Sequence, residues 1–374
     1  MKCIAFSGGD FRIEDGVGYN ILQGFTKLGY TLEQNNPRAL SLPHLPVGDV
    51  YISNGLRDPG PEIVDILERK GRDLMIYDLG YMLRARSGFS RGYYQLGLNR
   101  IGWVPNFECP SDRFDNLGLE IKPLTVDRSN KRVLVCAQKP GDAQHRMNDV
   151  EMNNWCRNMC LLLERDGYTP VYRPHPMQKH MIDGYEVSEH ATLQEAVSTC
   201  QFMVTYNSTS GVEALLEGKP VVVADPDCHY KEVSSYLEED GSLSNIPTED
   251  QLKNYFYRLA YAQWKLSEIR TGLPFQFLIK YMNGNDPFKG MDYTIHQPVE
   301  QKVISAKISI ESKEGVPSAK EEAPQEGVPS YEEFMKSLEG LKWFAKRAAV
   351  KELTGELPRN MDQLERLVKG HYNG

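Results

Sequence analysis

The chain has 374 residues, of which 40% are hydrophobic and 25% charged, and its formal net charge at pH 7 is −8. Its length exceeds what one hydrophobic core usually serves, which predicts two domains, and the sequence has no apolar run long enough to predict a membrane span. The acidic balance excludes a protein that coats nucleic acid indiscriminately, and the seven scattered cysteines predict reduced thiols rather than disulfides or a zinc cluster.

The first part of the chain predicts an N-terminal α/β domain over residues 1–128. An apolar strand pattern is followed by the turn Ser7-Gly8-Gly9-Asp10 and by apolar residues at helical spacing. Further short apolar runs alternate with a helical pattern, as in parallel strands joined by crossover helices. The opening apolar run is too short for a secretory signal, so we expect a cytoplasmic protein, in the host cytoplasm if the protein is viral. The patterns lie at residues 2–6, 18–28, 50–52, 61–70 and 74–77.

A second α/β domain is predicted over residues 129–294, where the alternation of strand and helix patterns restarts. Thr248-x-x-Gln251 is typical of a capping box, and it predicts a long helix through about Ile269 that closes this domain. The other patterns lie at residues 132–136, 153–166, 169–172, 202–205 and 220–224.

The composition changes after about residue 295. The segment 295–330 is rich in Lys, Glu, Pro, Ser and Gly and contains Glu-Gly-Val-Pro-Ser twice, which predicts a flexible linker. Ser330-x-x-Glu333 then precedes two amphipathic patterns, so residues 331–374 are expected to form a helical C-terminal module. We expect these helices to contact a protein partner.

A polar loop between a strand and a helix has the residues that suit a phosphate. Asn207, Ser208, Thr209 and Ser210 provide hydroxyls and free amides at a helix N-terminus, where the helix dipole favours an anion. Glu213, one turn into the helix, is suited to accept hydrogen bonds from ribose hydroxyls. The alternative is an ordinary Ser/Thr helix cap.

A second polar group follows the strand pattern at 169–172. Two prolines fix the backbone of Arg173-Pro174-His175-Pro176 at the carboxyl end of the strand, where open α/β sheets bind their ligands. A guanidinium and an imidazole there would neutralise a diphosphate leaving group. The alternative is a rigid loop with an exposed arginine.

Together these motifs resemble the capsular-polysaccharide and Kdo-transferase-like branch of the GT-B glycosyltransferases, over about residues 130–285. The resemblance rests on Tyr172 to Pro176, on Thr205 to Val222, and on Ala262-Gln263-Trp264 with Glu268-Ile269. It implies two facing Rossmann-like, doubly wound domains with an interdomain cleft, a nucleotide-sugar donor on the C-terminal domain, an acceptor on the N-terminal one, and no required metal. We expect a UDP-sugar. The implied donor-binding residues are Gln138, Lys139, Asp142, Arg173, His175, Asn207, Ser208, Thr209, Ser210 and Glu213.

An unusual stretch in the first domain bears on the acceptor. Residues 79–106 contain four arginines and no acidic residue, with aromatic residues between them, which is typical of a surface that grips phosphates and stacks bases. We therefore predict double-stranded DNA as a partner, with a hydroxymethylated base flipped into the cleft. A solvated basic loop is the alternative. The predicted acceptor-binding residues are Arg84, Arg86, Arg91, Tyr93 and Arg100.

Two further functions stay open on the sequence alone. One is a transferase acting on a surface polysaccharide or a lipid-linked glycan, which the motifs equally permit. The other is a non-catalytic module that binds nucleotide sugars without turnover.

Transfer with inversion needs a carboxylate that deprotonates the acceptor hydroxyl. Asp78 ends an apolar strand pattern before a glycine and is the predicted catalytic base, with Asp10 in the first loop as the second candidate; either could instead cap a helix. Asp225-Pro226-Asp227 has the spacing of a D-x-D metal motif, but its position after a buried strand favours a turn.

Overall fold

A computed structural model describes residues 1–9, 11, 16–83, 92–175, 181–291 and 369. Residues 1–300 form one compact unit. Several predictions fall outside the described residues: the catalytic candidate Asp10, the acceptor residues Arg84, Arg86 and Arg91, the linker 295–330 and, apart from Lys369, the helical module 331–374.

The first half of the compact unit is built on a mixed sheet. Its strands β1 to β4 run parallel, and β5 is antiparallel to β4. The crossover helices α1 and α2 follow β1 and β3, so the predicted α/β character of this half is confirmed. Its elements are β1 (Lys2–Phe6), α1 (Val17–Lys27), β2 (Thr31–Asn35), β3 (Val50–Asn54), α2 (Gly60–Glu68), β4 (Leu74–Leu79), β5 (Tyr93–Leu98) and α3 (Asp112–Asp115).

The second half is a parallel sheet of five strands in the order β10-β9-β6-β7-β8, with helices on the connections. The predicted βα alternation is therefore confirmed here as well. The elements are β6 (Arg132–Cys136), α4 (Asp149–Arg165), β7 (Thr169–Arg173), β8 (Glu186–Val187), α5 (Leu193–Ser198), β9 (Phe202–Thr205), α6 (Ser210–Leu216), β10 (Val221–Val223), the small hairpin β11 (Tyr236–Leu237) and β12 (Leu243–Ser244), and α7 (Glu249–Tyr261).

The chain then returns to the first half. Strand β13 (Gln263–Lys265) pairs antiparallel with β5 and completes the first sheet in the order β13-β5-β4-β3-β1-β2. Helices α8 (Leu266–Thr271) and α9 (Leu273–Met282) pack against α1. The sequence assigns this segment to the second domain, whereas the structure places it in the first.

The predicted capping box and the predicted helix length have different outcomes. The Thr248 hydroxyl accepts a hydrogen bond from the Gln251 amide at 3.3 Å, and the Thr248 amide donates to the Gln251 side chain at 2.8 Å, so the box is confirmed. The single helix through Ile269 is wrong, because α7 ends at Tyr261 and β13 provides the partners that the edge strand β5 requires.

Buried apolar side chains from both faces of the two sheets form the core. The seven cysteines are free thiols, and six of them are buried. Among the described residues, no helix has both the length and the apolar character that crossing a bilayer requires.

Candidate active site

A cleft of about 800 Å³ lies between the two halves. Strands β1 to β4 of the first sheet and the five strands of the second sheet are parallel, so their carboxyl ends gather on one edge of each sheet, and both edges face this cleft. The first half contributes Asn54, Gly55, Leu56, Arg57, Asp78 and Leu79, and the second half contributes Gln138, Lys139, Asp142, Arg173, His175, Ser208, Thr209, Ser210 and Glu213 among others.

Asp78 is the carboxylate that the first half brings to the cleft. It lies near the end of β4, is partly buried, and its Oδ1 accepts a hydrogen bond from the Leu79 amide at 2.7 Å. Burial, and secondarily the negative charge of Asp142, raise the pKa of this carboxyl above its usual range, and the Leu79 amide and the positive charges of Arg57 and Lys139 offset only part of the rise. A carboxylate with a raised pKa is a stronger base than an exposed one.

Arg57 is a cleft residue that the sequence analysis missed. It follows β3 at the same sheet edge as Asp78, and its positive charge acts on that carboxylate. The signal was available, because a charged residue three positions after a buried parallel strand lies where ligands bind.

A hydrogen-bonded pair connects the ends of β6 and β9. The Gln138 side-chain amide donates to Asn207 Oδ1 at 2.7 Å, and Gln138 Oε1 accepts from the Asn207 amide at 2.7 Å. Asn207 Nδ2 donates in turn to Asp225 Oδ2 at 2.6 Å. Asn207 is buried, holds the loop, and lines a smaller pocket beside the cleft rather than the cleft itself; its contact with the donor stays a prediction.

The three hydroxyl residues of the predicted phosphate loop all line the cleft. Thr209 stands at the cap position of α6 without a side-chain capping bond, while Ser208 Oγ accepts from the Ser210 amide at 3.2 Å and lies 2.8 Å from Ser210 Oγ. The buried Tyr230 hydroxyl donates to the Ser208 carbonyl at 2.7 Å and so fixes the loop from below.

The remaining predicted donor residues also meet in the cleft. Arg173 Nη1 donates to the His190 carbonyl at 2.9 Å and to Ser188 Oγ at 3.3 Å, which holds the guanidinium in one place. His175 and Glu213 line the same cavity. The Lys139–Asp142 turn closes with an amide-to-carbonyl hydrogen bond of 3.2 Å, and it presents both side chains to the cleft.

A smaller pocket of about 180 Å³ adjoins the cleft and shares Leu56, Ala143 and Gln144 with it. Its other lining residues are Arg100, Ile101, Asn207, Asp225, Asp227, Cys228 and His229. Of the predicted acceptor residues, Arg100 is exposed and lines this pocket.

Tyr93 corrects the predicted acceptor surface. It lies in β5 with only 3% of its surface exposed, and the Lys265 ammonium covers its ring at 5.3 Å. Its side chain therefore cannot stack on a base, and the prediction for this residue is wrong. Tyr81, from the same stretch, is also buried.

The Asp225-Pro226-Asp227 segment forms a turn. Asp225 Oδ1 accepts from the Asp227 amide at 3.0 Å, which is the geometry of an Asx turn. Within the described part of the chain, no group of three or more His, Cys, Asp or Glu side chains is arranged to hold a metal ion.

Comparison with solved structures finds several likenesses in fold, including the three that follow. No family model matches the chain, and no curated protein matches it significantly. The β-Kdo 2,4-transferase of KpsC from Thermosulfurimonas dismutans is 14% identical, with a TM-score of 0.44, over 70% of this chain and 91% of the other. The β-Kdo 2,7-transferase of the same KpsC is 15% identical, with a TM-score of 0.40, over 73% and 99%.

The third is the glycosyltransferase SnogD from Streptomyces nogalater, which is 11% identical, with a TM-score of 0.24, over 74% of this chain and 98% of the other. At this identity and overlap, none of the three likenesses assigns an activity to this chain.

Proposed function

We propose that this protein is a glycosyltransferase that moves a sugar from a nucleotide-activated donor to an acceptor hydroxyl in the cleft. One observation carries the proposal: the cleft combines a carboxylate, Asp78, from one half with cationic and hydroxyl side chains from the other. Group transfer from a nucleotide sugar needs both functions in one cavity.

The second half would bind the donor, for which we expect a UDP-sugar. Departure of the nucleotide diphosphate builds up negative charge, which a fixed guanidinium stabilises best. Arg173, held by Ser188 and His190, fits that role, with Lys139 as the second cation. The Ser208–Ser210 hydroxyls and His175 would complete the phosphate contacts, and Glu213 would accept hydrogen bonds from the ribose.

The first half would supply the base. As the acceptor oxygen attacks the anomeric carbon, its proton passes to the Asp78 carboxylate, and the bond between that carbon and the leaving phosphate oxygen breaks with its electron pair on the phosphate. The raised pKa of Asp78 favours this proton transfer.

For the acceptor, we propose a hydroxymethylated base in DNA. The support is the basic stretch of residues 79–106, of which the exposed Arg100 lies at the rim of the smaller pocket. A polysaccharide or lipid-linked glycan is the second candidate, favoured by the burial of Tyr81 and Tyr93, since two aromatic side chains are lost from the expected base-stacking surface.

The test is incubation of the protein with a panel of nucleotide sugars, with and without hydroxymethylated duplex DNA, followed by measurement of nucleotide release and nucleoside mass. A hexose- or pentose-sized mass gain on one nucleoside supports DNA as the acceptor. Nucleotide release without a change in DNA supports a glycan acceptor.

The controls separate catalysis from binding. Asp78→Asn should lower the rate of nucleotide release at least about 100-fold. Asp65 is an exposed aspartate on α2 that lines neither cavity, and Asp65→Asn should leave the rate unchanged. Nucleotide-sugar binding without any release or transfer would instead support a non-catalytic module.

A further inference from the structure

The smaller pocket has the size of a single sugar ring. Its volume of about 180 Å³ corresponds to the share of roughly six water molecules in the liquid. It adjoins the cleft through Leu56, Ala143 and Gln144, and its lining combines the apolar Leu56 and Ile101 with polar groups. A sugar ring, with apolar C–H faces and a polar rim of hydroxyls, suits such a mixed lining.

The pocket lies beside the phosphate loop along the chain. Asn207, which precedes Ser208, lines the pocket and donates from Nδ2 to Asp225 at 2.6 Å. A donor whose phosphates contact Ser208 has its sugar joined directly to those phosphates. The adjacent pocket is therefore the nearest cavity for that sugar.

Asp225 is held in one orientation by two donors, Asn207 Nδ2 on Oδ2 and the Asp227 amide on Oδ1, at 2.6 and 3.0 Å. Each carboxylate oxygen can accept a further hydrogen bond, because an ionised carboxylate offers about four acceptor sites. A ligand hydroxyl can donate to this carboxylate, whereas a ligand carboxylate would be repelled by it.

His229 adds a neutral polar edge. Its Nδ1 lies 2.9 Å from the Tyr255 hydroxyl, and its ring lies against Tyr81 with centroids 4.7 Å apart. Burial, and secondarily the positive charge of Arg100, lower the pKa of this imidazole to about 3, so the ring carries no charge at neutral pH. The pocket therefore holds two carboxylates, Asp225 and Asp227, against one guanidinium.

We propose that the smaller pocket receives the sugar ring of the donor and selects an uncharged sugar over one that carries a carboxylate. This inference rests on the proposed glycosyltransferase function. Within it, Asp225 binds ring hydroxyls, His229 offers its second ring nitrogen to another, and Asp227 contributes repulsion against acidic sugars.

The test begins with calorimetric titration of the bare diphosphates of uridine, guanosine, adenosine, cytidine and thymidine. The nucleotide that binds is then compared as its glucose and glucuronate conjugates, which differ only in the group at C6. We expect the glucose conjugate to bind at least about tenfold more tightly than the glucuronate conjugate, since placing like charges next to each other in a binding site is unfavourable.

The outcomes distinguish a failure of the proposed function from a failure of this inference alone. If none of the nucleotides binds, the proposed function fails, and the inference fails with it. If a nucleotide binds but its glucuronate conjugate binds as tightly as its glucose conjugate, only the inference is overturned. The same holds if glucose adds no affinity over the bare diphosphate.

A substitution tests whether the preference for the glucose conjugate over the glucuronate conjugate arises in the smaller pocket. Asp227 is exposed, and Asp227→Asn removes one negative charge while leaving the Asn207–Asp225 hydrogen bond in place. We expect the preference for the glucose conjugate to shrink about two- to fivefold, which is the range for an exposed charge. Asp65→Asn, the matched control outside the pocket, should not change it; an unchanged preference in Asp227→Asn would overturn the assignment.

Discussion

Arg113 and Glu268 form a buried ion pair that joins α3 to the returning segment of the chain. Arg113 Nη1 donates to Glu268 Oε1 at 2.6 Å, and the two side chains are only 1% and 8% exposed. The same guanidinium donates to the Ala260 and Gln263 carbonyls at 3.1 and 2.9 Å and lies 3.8 Å from the Trp264 ring centroid. One side chain therefore fixes the point at which the chain re-enters the first sheet.

Arg113→Leu should destabilise the protein strongly. The substitution leaves the Glu268 carboxylate buried without its partner and two main-chain carbonyls without their donor, a loss of about 3–5 kcal/mol in the free energy of unfolding. Urea denaturation monitored by circular dichroism measures it.

The control for this prediction is the exposed pair of Arg132 and Glu186, whose side chains are 36% and 50% exposed. Arg132→Leu should cost no more than about 1 kcal/mol. Equal losses in the two variants would contradict the role given to Arg113, and Arg113→Leu combined with Glu268→Gln should recover part of the loss.

The parallel strands could be predicted from the sequence because their signals are local. Each of β1, β3, β6 and β9 is a short apolar run, and polar residues that follow β3, β6 and β9 reach the cleft because parallel strands end at one edge. Strand β13 has no such signal. It is three residues long, and Gln263 pairs with Gln95, so its existence depends on the folded first sheet.

The error at Tyr93 has a related cause. Local composition identified a basic and aromatic stretch, but in a strand the side chains alternate between faces, and composition does not reveal which face is buried. The structure buries Tyr93 and leaves Tyr94 partly exposed. Arg57 was missed for a different reason: it follows the predicted strand β3, but no motif accompanies it, so its position after the strand was not used.

Gly211→Ala should disturb the phosphate loop. A Cβ atom at this position would lie 2.4 Å from the Tyr230 hydroxyl oxygen and 2.6 Å from its Cζ, and Tyr230 is fully buried. Because that hydroxyl holds the Ser208 carbonyl, we expect a loss of about 1–3 kcal/mol in stability together with weaker nucleotide binding. Thermal denaturation and calorimetry measure the two effects.

Gly8→Ala is the matched control, since a Cβ at Gly8 would meet nothing within 4 Å. Its stability and nucleotide affinity should stay close to those of the unmodified protein. If Gly211→Ala binds nucleotide as tightly as Gly8→Ala, Tyr230 does not position the loop for the donor.

Asp78→Asn should separate activity from stability. Because Asp78 is the proposed base, its replacement should lower kcat at least about 100-fold with little change in donor affinity. Its pKa is raised in the folded state, so the folded protein binds this proton more tightly than the unfolded chain, and the ionised group destabilises the fold at neutral pH. The variant should therefore be as stable as the unmodified protein, or more so, at pH 7. A variant that unfolds at lower urea concentration would contradict this account.

The pH dependence of transfer follows from the same carboxyl. Only its ionised form accepts the acceptor proton, so kcat should fall as the pH drops through the raised pKa of Asp78, at a higher pH than for an ordinary aspartate. The rate measured in steps from pH 8 to pH 4 checks this. If the rate does not change until the pH reaches the usual pKa range of an aspartate, Asp78 is not the base.

His229→Gln should reduce the loss of stability in acid. The folded-state pKa of His229 is lowered to about 3, whereas the unfolded side chain titrates near 6.5, so between these values the unfolded state binds the extra proton. Protonation then favours unfolding, and the contribution of His229 to stability falls as the pH decreases from about 6.5 towards 3. Glutamine does not titrate, so the difference in urea midpoint between pH 7 and pH 5 should be smaller in this variant than in the unmodified protein. His44→Gln, at an exposed position, is the control for replacing a histidine with glutamine. If the urea midpoint changes between pH 7 and pH 5 by the same amount in both variants, His229 is accessible to protons in the folded state.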